Sequence, residues 1–462
     1  MKKQLDSLHE LVDPRPLALF RMVFGAAILY QMLHYMGSGL IDIGLLAPKM
    51  LFKYEGFAWV QPFSSESMHL LLVLLALSAA AILLGFYSRF AAAVFGIGFL
   101  YILLLEKALF NNHLYLFCLL GILLACMPAD NVWSLTRLFS KKEHGEVRVP
   151  RWTILLLRAQ FFIVYFYGGI AKLTPDWLLH QEPMRTVLHY FVVRHPATGF
   201  MESQPMVYLF TYGSLVFDLS IGFLLLWKPA RLWALLGVVF FNLTNHILFD
   251  DIGVFPFLML PATLLFFPPE EVAALLDKRG WHLKSEGKRK RSEVPSHEPA
   301  GRWTLVRALI GAFMCFQLLF PLRWLFLPGN VDWTSVGHRF SWRMKSTVRE
   351  VDTLKFLVTN DKGEHGEVGA NTYLNTMQLE VLPRDPRMVI DFARFALADM
   401  RKRGLPADHV PTDIVVRFNG RAAQPLFPPG LDVAALRPES DPWENWMPVL
   451  REKQAVGSGG RQ

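Results

Sequence analysis

RAQFFIVYFYGGIAKLTPDW, residues 158–177, ends a membrane-length apolar run on a lysine, Lys172. Desolvation disfavours an ammonium, so a lysine at the edge of hydrocarbon can shed its proton near neutral pH and act as a base toward lipid-soluble acids. The same placement suits a snorkelling lysine that only marks a helix end. The surrounding chain bears on the choice.

With 53% hydrophobic, 13% aromatic and 19% charged residues in 462, the chain is too apolar for an ordinary soluble protein. Apolar runs near 16–36, 68–87, 90–105, 113–129, 152–171, 206–227, 230–249, 252–268 and 303–327 predict about nine spans, since roughly 20 residues cross a bilayer. The run at 252–268 is short and holds Pro256 and Pro261, which predicts a broken or re-entrant segment. No cleavable signal peptide is expected, the first run being long enough to anchor itself. Cys118, Cys126 and Cys315 all lie in apolar runs and imply no disulfide framework.

The formal charge of +8 is better explained by membrane topology than by nucleic acid. Loops on the N-terminal side hold Lys2, Lys3, Arg15, Arg89, Arg137, Lys141, Lys142, Arg148, Lys228, Arg231 and the run KRKR at 288–291. Short loops on the other side are poorer in basic residues, so the expected orientation is N-terminus in the cytoplasm and C-terminal domain on the periplasmic or lumenal side.

The expected organisation is a membrane-embedded unit over 1–268, a basic cytoplasmic linker over 269–302, a last span over 303–327 and an exterior domain over 328–462. That last part has strand-like runs at 354–359 (LKFLVT) and 413–418 (DIVVRF) and a helical pattern at 388–402, so it reads as α+β or mostly β. The final VGSGGRQ reads as a flexible tail.

On this topology four groups of polar residues face one side: Asn111, Asn112 and His113; Lys172 and Asp176; His189 and Arg194; and Asn245, His246, Asp250 and Asp251. An enzyme at a membrane surface needs such convergence above an apolar cavity. Asn112 also suits a helix cap, while His113 has an ordinary pKa close enough to neutrality to relay a proton. Arg21, Arg158 and Asp218 fall inside spans, where charges must be paired or wet, and are expected to be structural charges tying helices together. No GxxxxGK[ST], GxSxG or HExxH motif is present, and His246 with Asp250 at i, i+4 is too weak a pair to predict a metal.

Together the stretches DPRPLALFR (13–21), EKALFNNHLYL (106–116), 158–177, FDLSIGFLL (217–225), NVDWTSVGHRFSWRM (330–344) and IVVRFNGRAAQPLFPPGLD (414–432) resemble the vitamin K-dependent γ-glutamyl carboxylase family, including its bacterial HTTM-domain relatives. The resemblance implies Lys172 as catalytic base, with Asn112 and His113 in the active site. It implies vitamin K hydroquinone (or menaquinol) as cofactor, O2 and CO2 as co-substrates, no metal, and a Glu-containing peptide as partner beside quinone and membrane lipid. In that family a neutral lysine deprotonates the hydroquinone, dioxygen adds, and the resulting base removes a glutamate γ-proton. CO2 then traps the carbanion and the quinone leaves as an epoxide.

Around SWRMKSTVR, Trp342 is expected to form an apolar wall, and Arg349 or Lys345 to pair with the substrate carboxylate, with His189 and Arg194 expected to bind substrate as well. The chain departs from animal relatives at Ala171, Asn242 and Thr347, where they have lysine, histidine and histidine, and it lacks their cysteine pair. Its early end after the exterior domain suggests a bacterial form. Two other readings remain at this stage: a quinol epoxidase that does not carboxylate peptide, and a membrane transporter or binding scaffold. A transporter predicts a two-fold repeat of spans, of which the sequence gives no sign.

Overall fold

A computed structural model describes residues 8–140, 147–249, 252–282 and 300–453, with side chains from Leu305 onward in the last of these. The run 288–291, Asp250, Asp251 and the tail 456–462 lie outside the described residues, and so does the His246–Asp250 spacing.

The apolar runs fold as α1 (Arg15–Gly37), α2 (Ser65–Leu84), α3 (Ser88–Leu105), α4 (Asn112–Ala125), α5 (Arg151–Ile170), α6 (Gln204–Leu226), α7 (Arg231–Leu248), α8 (Phe255–Ala262), α9 (Pro269–Lys278) and α10 (Ala300–Leu319). Among the described residues seven helical stretches are long and apolar enough to cross a membrane, or eight if one bent pair is counted as a span. The chain is therefore a multi-pass membrane protein.

Two of the nine runs differ from simple crossings. Helix α4 has 14 residues, short of the roughly 20 a full span needs. Helix α8, with Pro261 inside it, continues into a 3₁₀ turn and then bends by 108° into α9. Proline removes a backbone donor and crowds the preceding turn, which accounts for the break.

The start of the expected linker is helical. Pro269 at the first helical position and Glu270 and Glu271 in the first turn favour α9 there, and Asp277 near its end ion-pairs with Arg15 at 2.6 Å. Beside α1, the two-residue strands β1 (Leu11–Val12) and β2 (Val149–Pro150) pair antiparallel.

The C-terminal domain is α+β. Strands β3 (Arg349–Thr359), β4 (His365–Val368), β5 (Thr412–Phe418) and β6 (Gln424–Pro425) form an antiparallel sheet in the order β4-β3-β5-β6. Along β5 the residues Thr412, Ile414, Val416 and Phe418 alternate inward, as a half-buried strand requires. Helix α11 (Pro386–Lys402) covers that face through Val389, Phe392, Ala393 and Ala396, and the Phe392 ring meets Phe356 at 4.6 Å.

This domain sits on the loops at one end of the helix bundle. Gln378 Nε2 donates to buried Glu106 at 2.7 Å and to the Met50 carbonyl at 3.0 Å, and Phe52 belongs to the C-terminal domain's core. The Glu106 carboxylate also accepts from Phe52 N and Ala108 N, which satisfies it without water.

Candidate functional site

Helix α5 ends at Ile170, two residues before Lys172, with Gly168 and Gly169 just ahead of its end, and the chain then turns through Thr174, which caps the short helix Pro175–His180. The glycines set the geometry. A Cβ at Gly169 would stand 2.9 Å from the Leu219 backbone nitrogen, and one at Gly168 3.5 Å from an Asp218 carboxylate oxygen. At Gly222 a Cβ would strike the Phe162 ring at 2.3 Å. Small residues thus let α5 and α6 meet backbone to backbone, the usual way apolar helices associate in lipid. That contact presents Asp218 to Lys172, and the two form a buried ion pair, with side chains 4% and 8% exposed. Lys172 Nζ also lies 5.2 Å from the centre of the Trp177 ring, whose Nε1 donates to the Thr211 carbonyl at 2.9 Å.

The pair opens into a cavity of about 250 Å³. Phe110, Phe241, Phe249, Ile252 and Phe255 form apolar wall, while Asn112, His113, Tyr165, Asn245 and His338 supply polar groups. Asn112 Nδ2 donates to the Arg343 carbonyl at 3.4 Å, whereas its Oδ1 is buried with no hydrogen-bond partner among the described residues. His113 packs against Phe117 and Phe255. Asn242 donates to the Tyr165 hydroxyl at 3.2 Å and so orients a cavity phenol.

A second chamber of about 380 Å³ lies under the C-terminal domain and shares Phe110, Phe249, His338 and Lys345 with the first. The SWRMK segment forms the partition. Arg343 is locked by Asp332 at 2.6 and 3.0 Å and donates to the Ala171 carbonyl at 3.3 Å, beside the lysine turn. Met344 lies over Gly168, and Lys345 Nζ stands 5.0 Å from the Phe249 ring centre.

Several expected residues are placed differently. Trp342 lines neither chamber; it is fully buried in the membrane core, its ring 5.1 Å from that of Tyr115. Arg349 lines the second chamber, but its N–H groups go to the carbonyls of Pro383, Asp332 and Trp333, and its guanidinium packs against both the Trp333 and Phe418 rings. Its donors hold the fold together. His189 Nδ1 hydrogen-bonds with Glu202 at 2.6 Å on the surface, and Arg194 reaches the Tyr190 carbonyl, so neither is brought to a chamber. Arg21 and Arg158 bind backbone carbonyls, of Trp133 and of Leu265 and Phe267, rather than carboxylates. Only Asp218 of the three intramembrane charges has an ionic partner among the described residues, and that partner moves it from a structural role to the site.

His338 escaped the sequence reading although it lies inside the quoted block 330–344. Burial and the neighbouring Arg343, Arg339 and Arg349 lower its imidazole to about 3, against a smaller opposing effect of Asp385. It is a neutral ring at the neck between the chambers. Its only sequence signal was a histidine in a stretch rich in arginine and tryptophan.

Residues 9–270 match the family model described as HTTM domain, and residues 302–453 the one described as Vitamin K-dependent gamma-carboxylase, lumenal domain. No solved structure matches the chain.

Proposed function

The chain belongs to the vitamin K-dependent γ-glutamyl carboxylase family, and from that premise we propose that it couples oxidation of a vitamin K-type hydroquinone, or menaquinol, to carboxylation of glutamate in a peptide. The observation that carries the reading is the buried Lys172–Asp218 pair at the head of an apolar cavity whose other wall bears Asn112 and His113.

The residues fit a quinol. Flat aromatic walls suit a naphthalene ring, and the unpartnered Oδ1 of Asn112 is an acceptor waiting for a hydroxyl. When bound with dioxygen, the hydroquinone supplies a base strong enough to remove a γ-proton from glutamate and is released as the epoxide, while CO2 bonds to the carbon left behind. The Lys172 ammonium first passes a proton to the Asp218 carboxylate it is paired with, and the neutral amine so formed, still held by Asp218, then takes the hydroxyl proton. Asn112 Oδ1 orients the ring through a hydroxyl, and His113 lies beside it to donate or accept a proton. The apolar wall excludes water, which would quench so strong a base.

Lipid-borne quinone has a lateral approach. An apolar groove lined by Val23, Ala27, Tyr30, Gly253 and Phe257 shares Phe249 with the cavity, and a Cβ at Gly253 would lie 3.9 Å from His113 Nε2. The peptide enters from the other side, through the chamber under the C-terminal domain, where Lys345 at the neck meets its carboxylate.

The test is to give the purified full chain, in lipid nanodiscs, reduced vitamin K, oxygen, labelled bicarbonate and a Glu-rich peptide, with epoxide and fixed label measured separately. Both products are expected in proportion. Epoxide without fixed label on any Glu peptide identifies a quinol epoxidase instead, and neither product sinks the enzymatic reading.

A further inference from the structure

The second chamber is lined by six cations, Lys107, Arg339, Arg343, Lys345, Arg349 and Arg384, against two carboxylates, Asp332 and Asp385. Most of this charge has work within the fold. Arg343 is paired with Asp332, Arg339 with Asp385 and Lys107 with Asp391, and Arg349 is committed to three carbonyls. Of the remaining two, Lys345 stands over the Phe249 ring at the neck and Arg384 lies at the rim. The Arg384 side chain is exposed and makes no ion pair among the described residues.

The backbone under Arg384 is nevertheless fixed. Its carbonyl accepts from Ser335 Oγ at 2.7 Å, and the next residue, Asp385, caps α11 and ion-pairs with Arg339. A cation on a rigid ledge, over a chamber whose paired charges still leave a positive surplus, is a selective device for anions rather than a solubilising residue.

We propose that this chamber is an acid-reading vestibule that prefers peptides with a second acidic side chain next to the reacting glutamate, and that Arg384 is its specificity-determining residue. The assignment rests on the glutamyl-peptide reading of the Lys172 site. A glutamate held near Lys345 at the neck leaves its neighbouring residues in the vestibule, within the field of Arg384. The chemical class read is a carboxylate-bearing peptide side chain.

The test uses the full chain in nanodiscs and two fluorescein-labelled peptides of equal length, each with one glutamate, flanked by aspartate in one and by serine in the other. Anisotropy gives affinity, and label fixation gives kcat/KM. The wild type is expected to favour the aspartate-flanked peptide by about tenfold or more in both measurements, with the preference weakened by salt. Arg384→Glu should bring the ratio to about one or reverse it, and Arg384→Lys should restore most of it.

A wild type with no preference, or an Arg384→Glu protein that keeps it, overturns the vestibule. If the preference in binding depends on Arg384 but no label is fixed, the vestibule stands and the carboxylase reading falls. If both peptides are carboxylated equally well, the carboxylase stands and the vestibule falls.

Discussion

Lys172 and Asp218 are 46 residues apart in sequence and are both almost wholly buried, so each compensates the charge of the other. Removing either partner leaves an uncompensated group in a low-dielectric site. Lys172→Ala should cut epoxide formation by about 10²–10⁴-fold, the usual contribution of a positioned base, and Asp218→Asn should lower it by at least about tenfold with Lys172 intact. Epoxide measured by chromatography checks both; full activity in the alanine variant would remove Lys172 from the chemistry. His338 gives a pH prediction. With its ring lowered from 6.5 to about 3, the unfolded chain binds one more proton than the folded chain between those values. Stability from the neutral ring is therefore complete above about pH 6.5 and is lost as pH falls toward about 3. His338→Gln should make the fall in Tm from about pH 7 to about pH 4.5 shallower than in the wild type, and coincident slopes would refute it. At this scale the sequence pointed to Lys172, Asn112 and His113, each in a short motif at a helix end, and the structure brings the three to one cavity. The sequence concealed the partner of Lys172, because α5 and α6 meet only after folding. Arg349 was read as a substrate contact for a related reason: nothing next to it in the chain announces the Trp333 and Phe418 rings against its guanidinium.

Among the elements, the α5–α6 contact is the one on which the site depends. Gly169→Ala would place a methyl 2.7 Å from Leu219 side-chain carbons and 2.9 Å from its nitrogen. The helices must separate, at a cost of about 1–3 kcal/mol for an overpacked contact. The variant is expected to keep Lys172 yet lose at least about tenfold in epoxide formation, with a lowered Tm in nanodiscs, because Asp218 moves with α6. Unchanged turnover would show that the helix approach does not set the site. Apolar runs made nearly every helix legible, as did the proline break after α8. The short length of α4 was not, since hydropathy continues past Ala125 into the turn. The helical start of the linker was overlooked because its charges were read for topology rather than for the amphipathic pattern of α9.

At the scale of the whole molecule, the C-terminal domain is fastened to the very turn that carries Lys172. Asp176, four residues on, receives both arms of the Arg421 guanidinium at 2.5 and 2.8 Å and the Asn419 amide at 2.7 Å, and Glu182 receives Lys453 at 2.8 Å. Arg421→Ala should cost about 3–5 kcal/mol at this buried pair and release the domain to limited proteolysis, with epoxide formation falling alongside. An intact digestion pattern with full activity would deny the clamp. The orientation in the membrane is a separate prediction. With the native cysteines replaced, single cysteines at Ser292 and Ser458 should label with an impermeant reagent from opposite sides; labelling from one side would overturn the inferred topology. The two-part organisation could be read from the change of composition after the last apolar run, but the seam could not, because its ties join residues more than two hundred positions apart.

That seam also imposes a timetable on the protein's birth. The ribosome delivers the turn bearing Lys172 long before it delivers Asn419, Arg421 and Lys453, and until they arrive Asp176 and Glu182 have no basic partners. A chain interrupted after its apolar helices would be inserted but unfinished, with the lysine on an unanchored turn and the second chamber without a roof. The turn that bears Lys172 thus reaches its fastened form only when the last domain has closed over it.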